Sequence, residues 1–145
     1  MPSPSGESAF FILHPSSFIL LLMKSALILF AHGARDPEWA APFRKIQRNV
    51  AMRCPGLTVE LAFLEFMPPP LPGAVEKLAG AGHDAITIAP LFMAQGGHLK
   101  HDLPQLLDGL RRRFPAVTLT LLPAIGDVDV ILDAIGDWLV NSTPR

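Results

Sequence analysis

An α/β fold, a doubly wound parallel four-stranded sheet with helices on both faces, is predicted by three observations. The stretch from Ser25 to Ala31 is nearly continuously apolar and too short for a typical helix, as expected of a parallel strand covered on both sides. Apolar residues then recur at helical spacing, in Trp39, Phe43, Ile46 and Val50, and this alternation of strand and helix patterns repeats along the chain. Two histidines, His32 and His98, each come just after a predicted buried strand and adjoin glycine.

The elements follow in order. Asp36-Pro37 offers a cap and turn for the first helix, and Cys54-Pro55-Gly56 stops it. From Leu57 to Leu64 the apolar residues Leu57, Val59, Leu61 and Phe63 alternate with Thr58, Glu60 and Ala62, a strand pattern that delivers Glu65 to its end. Pro68, Pro69, Pro70 and Pro72 make a stiff loop before a short helix with Val75, Leu78 and Ala79, which Gly80 and Gly82 end. Ala85 to Leu91 reads as a third strand. A glycine-bearing loop from Phe92 to His101 follows, and Asp102 caps a helix with Leu106, Leu107, Leu110 and Phe114 inward. Val117 to Pro123 is a fourth strand. Asp127 introduces a last helix whose inward stripe is Val130, Ile131, Ala134, Ile135, Trp138 and Leu139.

Right-handed crossovers between parallel strands place ligands beyond the carboxyl ends of the strands. His32, Glu65 and His98 all map to that edge. A strand order of 2-1-3-4 makes the first and third strands neighbours and brings the two histidines to one place.

The chain has 145 residues, half of them hydrophobic, which suits one domain with a single core. Its 12 Lys and Arg nearly balance 13 Asp and Glu, which argues against a nucleic-acid-binding surface. The lone Cys54 cannot form an internal disulfide, so a reducing cytoplasm is the expected compartment. Residues 1–22 read differently from the rest, with serines and prolines and then the apolar runs 10–13 and 18–22. They lack the positive charge of a secretory signal, and the run up to Ala31 is interrupted by Lys24, against a membrane span. The expectation is an N-terminal extension outside the fold, with the functional domain at 23–145. His14 falls in that extension, and His83 is expected in a surface turn on the opposite edge; neither is a site candidate.

Two imidazoles at one rim suggest a metal site. Neutral imidazole suits Co(II), Fe(II), Ni(II) and Zn(II), and a carboxylate such as Glu65 can complete a partial shell. A structural zinc site would need four protein ligands, so an open, temporary site fits better. Each histidine also has the plain reading of a hydrogen-bonded surface group, and Gly33, Gly96 and Gly97 that of turn punctuation. Glycine nevertheless allows backbone to approach a flat ligand. Arg35, Lys100 and His101 flank the histidines; each singly reads as solvated surface charge, and the alternative is that they face an anionic ligand.

With these motifs in place, the chain resembles the small, single-domain CbiX-like sirohydrochlorin chelatases, relatives of the class II chelatases, over about residues 25–140. The resemblance lies in the strand-His32-Gly33 start with Arg35-Asp36, in Phe63-Leu64-Glu65 followed by prolines, and in Ala89-Pro90-Leu91-Phe92 leading through Gly97-His98 to Asp102-Leu103-Pro104. It implies one lobe of a chelatase fold that pairs as a homodimer. The implied reaction is insertion of a divalent metal, Co2+ first and Fe2+ next with Ni2+ third, into sirohydrochlorin, in cobalamin or siroheme biosynthesis. His32 and His98 are the implied metal ligands and catalytic residues, with Glu65 helping to handle metal or protons. Arg35, Gly97, Lys100 and His101 would meet the carboxylate-bearing tetrapyrrole. No organic cofactor, nucleic acid or membrane is implied. The chain departs from the family pattern at Ala34, where a serine commonly follows His-Gly, and in lacking a histidine-rich tail.

A second reading is a non-catalytic carrier of metal or tetrapyrrole. Phosphoryl chemistry on a histidine is disfavoured, because Ala31 stands where a histidine phosphatase has arginine and no glycine-rich phosphate cradle follows.

Overall fold

The computed structural model describes residues 23–145. Residues 1–22, with His14, lie outside the described residues. Four parallel strands, β1 (Ser25–Ala31), β2 (Thr58–Phe63), β3 (Ala85–Pro90) and β4 (Thr118–Leu121), form one sheet in the order β2-β1-β3-β4. The apolar run of β1 is explained by its central place: Phe30 pairs with Ala62 of β2 on one side and Pro90 of β3 on the other.

Asp36 caps a 3-10 turn at Pro37–Ala40 by accepting from Glu38 N (2.9 Å), and helix α1 (Ala41–Arg53) continues from it. Helix α2 (Leu71–Gly80) ends in a Schellman motif: Gly82, at φ 89°, donates to Ala79 O (3.0 Å) and His83 N to Leu78 O (3.0 Å). The ring of His83 is also used there. Its Nδ1 lies 3.0 Å from Leu78 O and its Nε2 3.0 Å from Thr58 Oγ1. His83 is therefore on the opposite edge as expected, but buried rather than in a surface turn.

Helix α3 spans Gly97–Arg113, starting five residues before the expected cap at Asp102. The apolar stripe explains the difference. Leu99 packs against the core one turn ahead of Leu103, in line with Leu107 and Leu110, so packing carries the helix back past the local stop signals. Pro104 then sits inside the helix, unable to donate to Lys100 O.

The main core lies where α2 and α3 cover one face of the sheet. Leu71, Val75, Leu78, Leu103, Leu107 and Leu110 pack there against Ile28, Phe30, Ile86 and Ile88. On the other face a smaller cluster joins Ala31 and Phe63 to Ala40, Trp39 and Phe43. A 3-10 turn (Ile125–Asp127) leads to helix α4 (Asp129–Ser142), so Asp127 closes that turn rather than capping the helix. The expected inward stripe of α4 is not buried: Val130 is 73% and Trp138 65% exposed, while Ile131 and Ile135 are half-buried. The sheet offers it little to pack on, because the face of β3 and β4 opposite the main core carries Ala85, Thr87, Ala89, Thr118 and Thr120.

Candidate functional site

The strand order brings the loops after β1, β2 and β3 together at the carboxyl edge. Leu91 N donates to Phe30 O (2.8 Å), and beyond β2, Leu64 N donates to Ala31 O (2.9 Å) and Glu65 N to His32 O (3.0 Å). Gly33 is required at this junction. Its φ is 86°, and a Cβ there would collide with the carbonyl oxygen of Glu65. The loop after β1 thus turns away directly above the loop after β2, leaving His32 exposed at the rim.

The His32 ring is oriented from beneath by an aromatic stack. Phe30 meets Phe92 edge-on (5.4 Å between centroids, 77° between planes), and Phe92 meets His32 in the same way (4.6 Å, 62°). Phe30 and Phe92 are buried, so the imidazole stands on a fixed support. Among the described residues, the histidine rings with hydrogen-bond partners are those of His83 and His101.

His98 is the second residue of α3 and is exposed on the next loop connection along the edge. His101 lies one turn further on the same helix face and accepts from Gln105 Nε2 (3.2 Å) at its own Nε2. Lys100 and His101 are therefore in the first turns of a helix rather than on a loop. Gly97 opens that helix with open space around it, and Lys100 is exposed.

Glu65 is exposed beyond β2, and it reaches the His32 segment through its backbone amide. Among the described residues, no three His, Cys, Asp or Glu side chains gather closely enough to hold a metal ion. The edge thus presents separate, solvent-facing donors rather than a closed cage. Arg35 is exposed, with its guanidinium carbon 4.7 Å from the ring centroid of Phe66.

Phe92 and Phe66 were not singled out by sequence pattern. Phe92 lies two residues beyond β3 and Phe66 directly follows Glu65. Phe92 carries a signal, an aromatic just past a strand end, whereas Phe66, set in a left-handed turn, carries none.

The comparisons with known proteins agree with this architecture. The CbiX family model matches residues 26–141. A sirohydrochlorin cobaltochelatase of Saccharolobus islandicus is 34% identical over 117 residues, covering 79% of this chain and 90% of the relative. One from Methanopyrus kandleri is 38% identical over 82 residues, 57% of each chain. The chain thus matches little more than half the length of that relative. A crystal structure of a cobalamin-biosynthesis CbiX protein from Marinobacter aquaeolei superposes with a TM-score of 0.69 at 30% identity, covering 81% of this chain and 95% of that one. The sirohydrochlorin chelatase SirB of Bacillus subtilis, solved in complex with cobalt, gives 0.68 at 22% identity, covering 83% of this chain but 51% of its own; that likeness is one of fold. No described helix is long and apolar enough to cross a membrane. On the family match over nearly the whole described sheet, and on the Saccharolobus and Marinobacter relatives, this chain belongs to the CbiX family.

Proposed function

We propose that this protein is a chelatase that inserts a divalent metal, Co2+ first, Fe2+ next and Ni2+ third, into sirohydrochlorin, serving cobalamin or siroheme synthesis. The observation that carries the reading is the pair of exposed histidines on the connections that follow neighbouring strands β1 and β3. The CbiX relationship supports it.

The overall change is one metal ion in and two pyrrole protons out. A neutral imidazole donates a lone pair to a metal of intermediate softness and, once the ion has passed to the ring nitrogens, the same lone pair takes up a proton. His32 and His98 hold the incoming ion, and Glu65 receives or relays protons. Few protein ligands are an advantage, since a closed four-ligand site would retain the ion. Arg35, Lys100 and His101 pair with macrocycle carboxylates, beside the open helix start at Gly97. The reaction transfers no electrons and calls for no organic cofactor.

Two copies of the chain form the working unit in this reading. The chain aligns with about half of the SirB fold, so a second copy supplies the other lobe across the carboxyl edge. Residues 1–22 are dispensable in it, and the lone exposed thiol of Cys54 suits a reducing cytoplasm. Gel filtration with light scattering of the full chain and of residues 23–145 checks both points. Two dimers are expected, and a monomeric full chain or a truncated chain that does not fold contradicts them.

The test of function is an anaerobic absorbance assay of sirohydrochlorin with each metal, with and without protein. Faster formation of the metallated spectrum, fastest with Co2+, is expected. Binding without acceleration assigns the protein as a carrier instead.

A further inference from the structure

One aromatic at the carboxyl edge is presented to solvent at a cost to the backbone. Phe66 is 56% exposed and stands at φ 65°, a left-handed conformation that residues bearing a Cβ rarely adopt. Met67 N donates to Glu65 O (2.8 Å), closing a γ-turn around it. The turn is tied down on both sides. Leu64 N and Glu65 N bond to Ala31 O and His32 O, and Phe63 N donates to Pro69 O (2.9 Å). Glycine would hold this backbone without strain and a polar side chain would suit the exposure, so the fold of the turn does not itself call for phenylalanine. Arg35 lies over the ring at 4.7 Å, a cation–π contact that leaves the guanidinium edge open to solvent.

We infer that Phe66 and Arg35 act as one recognition element for the macrocycle, an assignment that rests on the chelatase reading. The Phe66 ring is the flat apolar surface that positions the tetrapyrrole, and Arg35 pairs with a carboxylate at the macrocycle rim. An aromatic face discriminates for a planar conjugated ligand, and a guanidinium already held flat recognises a carboxylate with little further ordering. Phe66 touches neither metal nor reacting nitrogen, so it is a positioning residue. The element selects a flat, multiply anionic substrate and carries no preference among metals.

The test replaces Phe66 by glycine, which removes the ring and relieves the backbone. Sirohydrochlorin is titrated into the metal-free protein by absorbance. KM and kcat are then measured with Co2+, and thermal unfolding is followed in parallel. For Phe66→Gly, affinity should fall and KM for sirohydrochlorin rise by about tenfold. Its kcat should stay within about twofold, KM for Co2+ should be unchanged, and Tm should be unchanged or higher. Phe66→Trp should retain binding, and Arg35→Gln should weaken it. Wild-type affinity in Phe66→Gly overturns the assignment, as does a fall in Tm matching the fall in affinity, or a changed oligomeric state with binding per subunit intact. A wild-type protein that neither binds nor metallates sirohydrochlorin removes the chelatase reading itself, a result separable from the behaviour of the variant.

Discussion

His32 stands edge-on to Phe92, with ring centroids 4.6 Å apart and planes inclined by 62°. Phe92 is in turn locked against Phe30 in the core, so the orientation of a solvent-exposed imidazole is fixed by side chains that never meet solvent.

Shortening Phe92 should therefore disturb the reaction more than the fold. In Phe92→Leu the expected loss of stability is about 1–2 kcal/mol. The rate of metal insertion should drop roughly five- to fiftyfold, because His32 can then sample orientations that do not serve the metal. Denaturant unfolding and the insertion assay on the same preparation check this, and an unchanged rate would mean that the stack is only packing.

Gly33→Ala combines two penalties, a left-handed backbone and a Cβ driven into Glu65 O. A loss of about 2–4 kcal/mol is expected, with reduced insertion because the loops after β1 and β2 no longer seat together. Urea unfolding gives the first quantity, and a loss below 1 kcal/mol would show that the junction yields easily.

His83 joins the end of α2 to the start of β2 at the edge away from the site. His83→Ala leaves Thr58 Oγ1 without this partner and opens a buried space, so a loss of about 2–3 kcal/mol is expected. Insertion by the fraction that remains folded should be unaltered. A specific activity reduced more than the folded fraction would link this edge to the site.

The sheet was legible because each strand carries an apolar run or an apolar alternation that can be read without its neighbours, and the order β2-β1-β3-β4 is the one in which His32 and His98 fall on adjoining connections. The residues that flank a strand end, Arg35 after β1 and Glu65 after β2, were equally readable. The ends of α1 at Cys54 and of α2 at Gly80 and Gly82 were readable too, but the start of α3 was not. At Asp102-Leu103-Pro104 the local cap chemistry gave way to the packing of Leu99, a tertiary effect that no local pattern contains. The stripe of α4 shows the converse: Val130 and Trp138 have the spacing of a core face, but among the described residues the small and polar outer face of β3 and β4 gives them little to pack against. The edge that carries His83 was readable but its burial was not, because its partners, Leu78 and Thr58, belong to different elements. Phe66 was hidden by its backbone, since a left-handed phenylalanine has no sequence pattern.

The most direct measurement is the initial rate of Co2+ insertion into sirohydrochlorin by His32→Ala and by His98→Ala, with circular dichroism confirming that both are folded. Each variant should lose at least about a hundredfold in rate while keeping its fold, as expected when a group that handles metal and proton is removed from an exposed rim. A variant that stays folded and inserts cobalt within about threefold of the wild-type rate would take that histidine out of the reaction and contradict a histidine-centred site.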